Sequence, residues 1–239
     1  MIGVIRDHLS RESAGAKLRL GIVVTSLFGA MVVGAVLPRA WDRLKPTPAR
    51  STWLESYHSL LAGPRDLVMV GDSLTARGQW GEHLLGLTIA NRGVEGDTTT
   101  RLLARLDEIS SHDAETIVLM IGINDLGQRL PITEVQARYT EIVRRLAASG
   151  SRIIVQSVLR VGKGSRKAEP ASIEAFNAWL ASIAPRYGCE FLDLNQVLAP
   201  DGYLGAVYTI DGTHLSGQGY LRWAEALTER LAPGRVAAP

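Results

Sequence analysis

Short apolar runs alternate along most of this chain with longer segments whose apolar residues recur at helical spacing. Buried strands are predicted for five of the runs, at 67–71, 87–91, 116–121, 152–157 and 190–193. Helices are predicted at 98–109, 132–148, 171–184 and 216–231. Strands that alternate with helices indicate βαβ units with right-handed crossovers. The pattern therefore predicts an α/β fold around one parallel sheet of about five strands.

A different pattern precedes this domain. Residues 1–19 are polar, and residues 20–37 are 18 consecutive residues without a charge. A helix of that length spans roughly 27 Å, close to the thickness of a bilayer core. The run is longer than the apolar part of a cleaved signal peptide, and it is apolar on every side, unlike a core helix. We predict a single transmembrane signal anchor at 20–37, a linker at 38–52 and a globular domain at 53–239.

The orientation of the predicted anchor is not set by charge. Four Lys and Arg residues precede the span and four follow it before residue 51, so the positive-inside count is equal on both sides. We expect the amino end inside and the large domain outside the cytoplasm, as a signal anchor would place them. The expected partner at this end of the chain is a membrane.

Composition narrows the choice of partners. The chain has 239 residues, 46% hydrophobic and 21% charged, which is ordinary for one globular catalytic domain. Residues 1–50 hold eight Lys and Arg against three Asp and Glu, so that 18 basic and 21 acidic residues remain for the domain. A slightly acidic domain argues against binding of nucleic acid. Cys189 is the single cysteine, which excludes an internal disulfide and a Cys-based metal site.

A serine follows the first predicted strand, in Gly71-Asp72-Ser73-Leu74. Ligands of open parallel sheets bind beyond the carboxyl ends of the strands, which is where Ser73 is expected. Taken alone, a serine after Gly-Asp is more often a helix N-cap. To act as a nucleophile, its hydroxyl needs a base, and the base needs an orienting partner.

Asp211 and His214 can supply these two groups. They lie three residues apart near the chain end, so one loop can fold the carboxylate onto the imidazole. The same spacing occurs in loop salt bridges and metal-ligand pairs, but no HExxH motif or second acidic cluster accompanies it, and we expect no metal and no cofactor. The backbone N–H groups of Ser73 and Gly93 and the amide of Asn124 could stabilise an oxyanion.

Four short motifs together resemble the SGNH/GDSL hydrolase superfamily. Gly71-Asp72-Ser73-Leu74, Gly93, Gly122-x-Asn124-Asp125 and Asp211-x-x-His214 occur in the order and at the spacing of its blocks, over residues 66–231. Stretches 91–99 and 120–125 look most like the branch of the platelet-activating-factor acetylhydrolase catalytic subunits and bacterial acetylesterases. One departure is Arg160, where relatives tend to have proline.

The resemblance implies a three-layer α/β/α, flavodoxin-like fold. It implies Ser73 as the nucleophile, His214 as the base and Asp211 as the partner of the base. It further implies an oxyanion hole formed by Ser73, Gly93 and Asn124. The resemblance also implies supporting roles for Asp72, Gly122 and Asp125.

These features predict a serine esterase that removes a small acyl group, acetyl above all, from a carbohydrate or lipid ester through an acyl-enzyme. A lysophospholipase or thioesterase would use the same residues, and so would an O-acetyltransferase acting on an envelope polysaccharide. A catalytically silent binding module on the same fold is a further alternative, because fold does not determine function. The sequence specifies neither the natural substrate nor the oligomeric state.

Overall fold

The computed structural model describes residues 57, 58, 60, 61, 63–110 and 112–232. The predicted anchor at 20–37, the linker at 38–52 and the first residues of the hydrolase domain lie outside the described residues, so these assignments stay predictions of the sequence. In the described part of the chain, no helix combines the length and the apolar character needed to cross a bilayer.

Five strands form one parallel sheet in the order β2-β1-β3-β4-β5, which is the flavodoxin-like order. The strands are β1 Arg65–Gly71, β2 Ile89–Gly93, β3 Ala114–Met120, β4 Arg152–Gln156 and β5 Glu190–Leu192. The predicted α/β fold with five parallel strands is thus confirmed. In the register of the sheet, Gly71 is aligned with Gly93 on one side and with Met120 on the other. The loops after β1, β2 and β3 therefore leave the same edge of the sheet.

Helices and short turns connect the strands. Their bounds are α1 Ser73–Ala76, α2 Trp80–His83, α3 Thr99–Ala104, α4 Leu106–Ser110, α5 Ile123–Gly127, α6 Ile132–Ala147, α7 Pro170–Ile183, α8 Asn195–Leu198 and α9 Gly217–Leu231. Two 3₁₀ turns lie at Ala184–Tyr187 and Ala206–Tyr208. The longer predicted helices are found within one or two residues of their expected ends.

Both faces of the sheet are covered. Successive strand residues point to opposite faces, and β1 and β3 each end in a run of five buried residues. Two separate aromatic groups fill the space beneath the helices. In one, Phe176 of α7 stacks on Trp179 with ring centroids 5.4 Å apart, and in the other Trp80 of α2 meets Trp223 of α9 edge-on at 4.7 Å. Burial on both faces accounts for the continuous apolar runs in the sequence.

The predicted helix at 98–109 is divided in two at Arg105. This residue leaves the helical region with a φ of −111°, and its buried guanidinium points inward. Arg105 Nε donates to Asp97 Oδ2 at 2.8 Å, and Nη2 donates to the carbonyl of Arg92 at 2.8 Å. Hydrophobic periodicity cannot show such a break, because an arginine in a helical pattern is normally assigned to the solvent face.

Candidate active site

Ser73 begins α1 directly after β1, but it does not cap that helix. The N-cap is Asp72, whose Oδ1 accepts the N–H of Leu74 at 3.0 Å. The Ser73 hydroxyl is therefore left for a different partner. The Ser73 N–H, at the first position of the helix, has no hydrogen-bond partner within the described residues.

The hydroxyl of Ser73 faces an imidazole. Ser73 Oγ lies 3.2 Å from His214 Nε2, and His214 Nδ1 lies 2.6 Å from Asp211 Oδ2. These partners assign the proton of the neutral ring to Nδ1 and leave the Nε2 lone pair toward the hydroxyl. The three residues that the sequence analysis placed in a catalytic triad are brought together in one row.

Asp211 holds the imidazole with a charged carboxylate. Its Oδ1 accepts the backbone N–H groups of Thr213 and His214 at 2.9 and 2.7 Å. The hydrogen bond from the His214 side chain, followed by the one from the His214 backbone, lowers the pKa of Asp211 to about 2. The carboxylate is therefore ionised at neutral pH, and its negative charge lies against the imidazole of His214.

Hydrogen bonds within the loop stabilise the segment that contains Asp211 and His214. Thr209 Oγ1 donates to the carbonyl of His214 at 2.8 Å and accepts the N–H of Gly212 at 2.9 Å. The N–H of Ile210 also donates to the carbonyl of His214, at 3.0 Å. Gly212 has a φ of +82°, in the left-handed region that favours glycine. The backbone of the loop thus fixes the position from which His214 projects.

Asn124 lies in the first turn of α5, after Gly122, whose φ of +132° is rarely adopted by other residues. Its side chain is 7% exposed. Asn124 Nδ2 donates to the carbonyl of Asp97 at 2.8 Å, and Oδ1 accepts from Lys167 Nζ at 2.7 Å. One of the two Nδ2 hydrogens is therefore engaged, and the second is available to a substrate oxygen.

The structure places Gly93 differently from the expected oxyanion donor. Its N–H donates to Asn91 Oδ1 at 2.9 Å, so this donor is already engaged. A Cβ at Gly93 would lie 2.2 Å from the backbone nitrogen of Ala76. The glycine is thus needed for the close approach of β2 to α1, and the arrangement gives it a packing role.

Gly96, which the sequence analysis did not single out, lies three residues beyond the end of β2. It is exposed, has a φ of +75°, and finds no acceptor for its N–H in the part of the chain that the structure describes. It directly precedes Asp97, whose carbonyl receives the Asn124 amide. Both glycines follow the predicted strand at 87–91, but the Gly93 N–H is paired with Asn91, whereas the Gly96 N–H has no partner within the described residues.

Asp125 joins two of the loops at this edge. Its carboxylate accepts the backbone N–H of Thr99 at 3.0 Å and the Thr99 hydroxyl at 2.6 Å. Burial raises the pKa of this carboxyl, and the Thr99 hydrogen bonds oppose that shift. The residue therefore ties the start of α5 to the start of α3, which keeps Asn124 beside Asp97.

Asp72 is fully buried next to Ser73, and its Oδ2 has no hydrogen-bond partner among the residues described. Burial raises the pKa of Asp72 to about 7, against the opposing effect of the Leu74 N–H. Between about pH 4 and 7 the carboxyl would ionise in the unfolded chain only, which favours unfolding. The contribution of this group to stability therefore falls as the pH rises through that window.

Asp72→Asn removes this titration and keeps an oxygen that can accept the Leu74 N–H. We expect the free energy of unfolding of the variant, relative to the wild type, to increase between pH 4 and 7 by about 3–4 kcal/mol, which corresponds to two to three pKa units. Urea denaturation at both pH values measures the change. A difference that is constant with pH would contradict the prediction.

Asp66 provides a control of opposite sign for this measurement. Hydrogen bonds from the backbone and side chain of Thr88 lower the pKa of Asp66, which lies at the other end of β1. Its stabilising contribution is present above its unfolded pKa and is lost as the pH falls below that value. Asp66→Asn should therefore lose stability relative to the wild type as the pH rises toward about 4, and its difference from the wild type should be nearly constant between pH 4 and 7.

Arg160, the departure expected from the family resemblance, links two segments of the fold. Its guanidinium pairs with Glu174 through Nε and Nη2, and Nη1 donates to the carbonyl of Ala199 at 2.9 Å. The backbone N–H of Arg160 donates to Asn195 Oδ1 at 2.8 Å. These contacts join α7 to the segment around α8, and they occupy the side chain fully.

Comparison with known sequences gives a match to one family. Residues 59–222 match the model of the GDSL-like lipase/acylhydrolase family. This range contains β1 to β5 and the positions of Ser73, Asn124, Asp211 and His214. No curated protein matches the chain significantly.

Comparison with solved structures gives several chains with the same fold. A Streptococcus pneumoniae protein, provisionally described as a platelet activating factor, is 25% identical with a TM-score of 0.71, and the match covers 84% of this chain and 99% of that chain. A GDSL-like lipase from Bacteroides thetaiotaomicron is 19% identical with a TM-score of 0.65, covering 76% and 96%. A variant of an acetyl-xylooligosaccharide esterase from a Geobacillus species is 20% identical with a TM-score of 0.58, covering 75% and 99%.

Proposed function

The chain belongs to the GDSL-like lipase/acylhydrolase family, and we propose that it is a serine esterase that removes a small acyl group through an acyl-enzyme intermediate. The observation that carries this proposal is the row of Ser73 Oγ, His214 Nε2 and Asp211 Oδ2, with separations of 3.2 Å at the hydroxyl and 2.6 Å at the carboxylate. A hydroxyl within hydrogen-bond reach of an oriented base is the arrangement that acyl transfer requires.

In the first half of the reaction, Ser73 Oγ attacks the ester carbonyl carbon and His214 Nε2 takes the hydroxyl proton. The carbonyl π electrons move to oxygen and form a tetrahedral oxyanion. When the intermediate collapses, the C–O bond to the alcohol breaks, and the imidazolium returns its proton to the leaving oxygen. In the second half, water attacks the acyl carbonyl carbon while His214 Nε2 takes its proton. Collapse of this second tetrahedral intermediate breaks the C–O bond to Ser73, and the imidazolium returns its proton to Ser73 Oγ as the acid is released.

The oxyanion is assigned to three donors. These are the N–H of Ser73 at the start of α1, the N–H of Gly96 in the turn after β2, and the free Nδ2 hydrogen of Asn124. None of the three bears a charge, so none of them titrates during the reaction. Donors of this kind stabilise the transition state most when they are fixed before the substrate binds.

Hydrolysis, as opposed to transfer to a second alcohol, is supported by the exposure of the base. The side chains of His214 and Asp211 are 23% and 49% exposed. Water can therefore reach the imidazole that must activate the second nucleophile. An acyltransferase would have to exclude water from this position.

We propose that the esterase is specific for small acyl groups, acetyl in particular. It is supported by the resemblance of stretches 91–99 and 120–125 to the acetylhydrolase branch, and by the likeness of the fold to an acetyl-xylooligosaccharide esterase. The proposed leaving group is an alcohol of a carbohydrate or a lipid.

A series of p-nitrophenyl esters of increasing acyl length tests the proposal. We expect kcat/KM to be highest for acetyl and butyryl esters and to fall with longer chains. Each methylene that the site cannot accommodate should change kcat/KM by about tenfold or more. A maximum of kcat/KM at acyl chains of eight or more carbons would contradict the acetylesterase proposal and favour a lysophospholipase or thioesterase. The absence of hydrolysis for every ester would refute the proposed activity.

A further inference from the structure

The segment between β4 and α7 contacts both halves of the site. We refer to residues 161–167 as the bridging loop. The N–H of Gly162 donates to the carbonyl of Gly212, in the turn between Asp211 and His214, at 2.8 Å. At its other end, Lys167 Nζ donates to Asn124 Oδ1 at 2.7 Å. The loop therefore touches the turn of the base and the amide of the oxyanion site.

The neighbours of the Asn124 amide allow only one of its two orientations. Lys167 Nζ is a donor without acceptor capacity, so it can meet only Oδ1. The carbonyl of Asp97 is an acceptor, so it can meet only Nδ2. Turning the amide by 180° would place two donors together at Lys167 and two acceptors together at Asp97. Removal of Lys167 would remove one of these two constraints.

The lysine is itself held in place by packing. If Gly127 carried a Cβ, that atom would lie 2.7 Å from the Lys167 carbonyl and 3.2 Å from Lys167 Cε, which shows how closely the residue lies against α5. Lys167 is partly buried, whereas Lys163 in the same loop is exposed. The ammonium group is therefore positioned by its aliphatic stem as well as by its hydrogen bond.

We propose that Lys167 is a positioning residue for the oxyanion site, which holds the Asn124 amide with its free Nδ2 hydrogen toward the substrate and polarises that donor through Oδ1. The proposal rests on the proposed esterase function. A charge-assisted hydrogen bond at Oδ1 draws electron density away from the amide nitrogen and makes the remaining N–H a stronger donor. The effect is largest where negative charge develops, so it should appear in kcat more than in KM.

Lys167→Met keeps most of the aliphatic stem and removes the ammonium group. We expect kcat for an acetyl ester to fall about tenfold with KM changed by less than about twofold. The loss should be smaller than the ~10²–10³ caused by removal of an oxyanion donor, because the amide remains but can turn. Lys167→Arg, which restores a cationic donor, should recover part of the loss. Lys163→Met is the matched control and should leave kcat and Tm unchanged.

A double-mutant cycle decides whether Lys167 acts through Asn124. In an Asn124→Ala background, Lys167→Met should change kcat by less than about twofold. A tenfold loss in both backgrounds would show that Lys167 acts independently, and an unchanged kcat in the single variant would show that it does not act at all. Either result overturns the inference. A wild-type chain that hydrolyses no ester would instead refute the proposed function.

Discussion

Replacing Ser73 by alanine is expected to lower kcat for ester hydrolysis by ~10⁴–10⁶ while leaving KM and Tm nearly unchanged. In the proposed mechanism Ser73 Oγ is the atom that forms the acyl-enzyme, and neither His214 nor water can replace it in the same geometry. Stability should be preserved because Asp72, not Ser73, caps α1, and because alanine is well tolerated at the first helical position. Steady-state rates with an acetyl ester, together with thermal unfolding, measure both effects.

Ser216 offers a contrasting control. It is a true N-cap, since its hydroxyl accepts the N–H of Gly219 at 3.2 Å at the start of α9. Ser216→Ala should reduce the free energy of unfolding by about 1 kcal/mol and leave most of the activity. The two serines therefore separate a loss of chemistry from a loss of helix capping. A Ser73→Ala variant that kept more than a few per cent of wild-type kcat would exclude Ser73 as the nucleophile.

Covalent trapping identifies the nucleophile independently of the rate. A fluorophosphonate reacts with an activated serine hydroxyl and leaves a stable phosphonyl ester. Peptide mapping should find this group on Ser73 in the wild type and find no labelled serine in Ser73→Ala.

Most of the sheet could be predicted because its strands share one sequence property. A strand that is covered on both faces must be apolar at successive positions, and β1 and β3 satisfy that rule along most of their length. The carboxyl ends of parallel strands meet at one edge, so the loops with Ser73 and Asn124 could be placed together before any contact was known. The triad was predictable for a related reason, since Asp211 and His214 lie within one short loop.

The partners of the site were less predictable because they depend on contacts between distant parts of the chain. Nothing in the sequence near Lys167 indicates that its ammonium group meets Asn124, 43 residues away. In the same way, the Arg105 side chain points inward because the fold places its partners, Asp97 and the carbonyl of Arg92 in β2, on that side. Sequence patterns report which surface of an element is apolar, whereas these polar side chains are positioned by the tertiary structure.

The sequence could not show whether the N–H of Gly93 or that of Gly96 is unpaired, because the answer depends on a single hydrogen bond. Gly93 is the last residue of β2 and Gly96 lies three residues beyond it, and the sequence is compatible with a backbone donor at either position. The difference lies in one hydrogen bond, from the Gly93 N–H to Asn91 Oδ1, while the same Asn91 side chain donates to the carbonyls of Thr75, Ala76 and Gly78. Asn91 thus links β2 to the segment that follows Ser73, and the Gly93 N–H forms part of this link.

Asp211→Asn is expected to lower kcat by ~10²–10⁴, the second largest effect after loss of the nucleophile. An asparagine oxygen can still accept the backbone N–H groups of Thr213 and His214, so the turn should keep its shape. Its amide nitrogen, however, would donate to His214 Nδ1, which shifts the ring proton to Nε2 and removes the lone pair that faces Ser73. The half exposure of Asp211 admits water as a partial substitute, which sets the lower end of the range.

The pH profile distinguishes this tautomer effect from a change in acidity. Because the pKa of Asp211 is about 2, the wild-type carboxylate stays ionised throughout pH 5–9, and its own titration contributes no slope there. The ratio of wild-type to variant kcat should therefore differ from one at every pH in that range. Asp201→Asn, which changes an exposed acid ahead of the same loop, should leave kcat within about twofold of the wild type. A variant with Asn at 211 that retained a third of wild-type kcat would show that His214 is oriented by the backbone of its loop, with no need for the carboxylate.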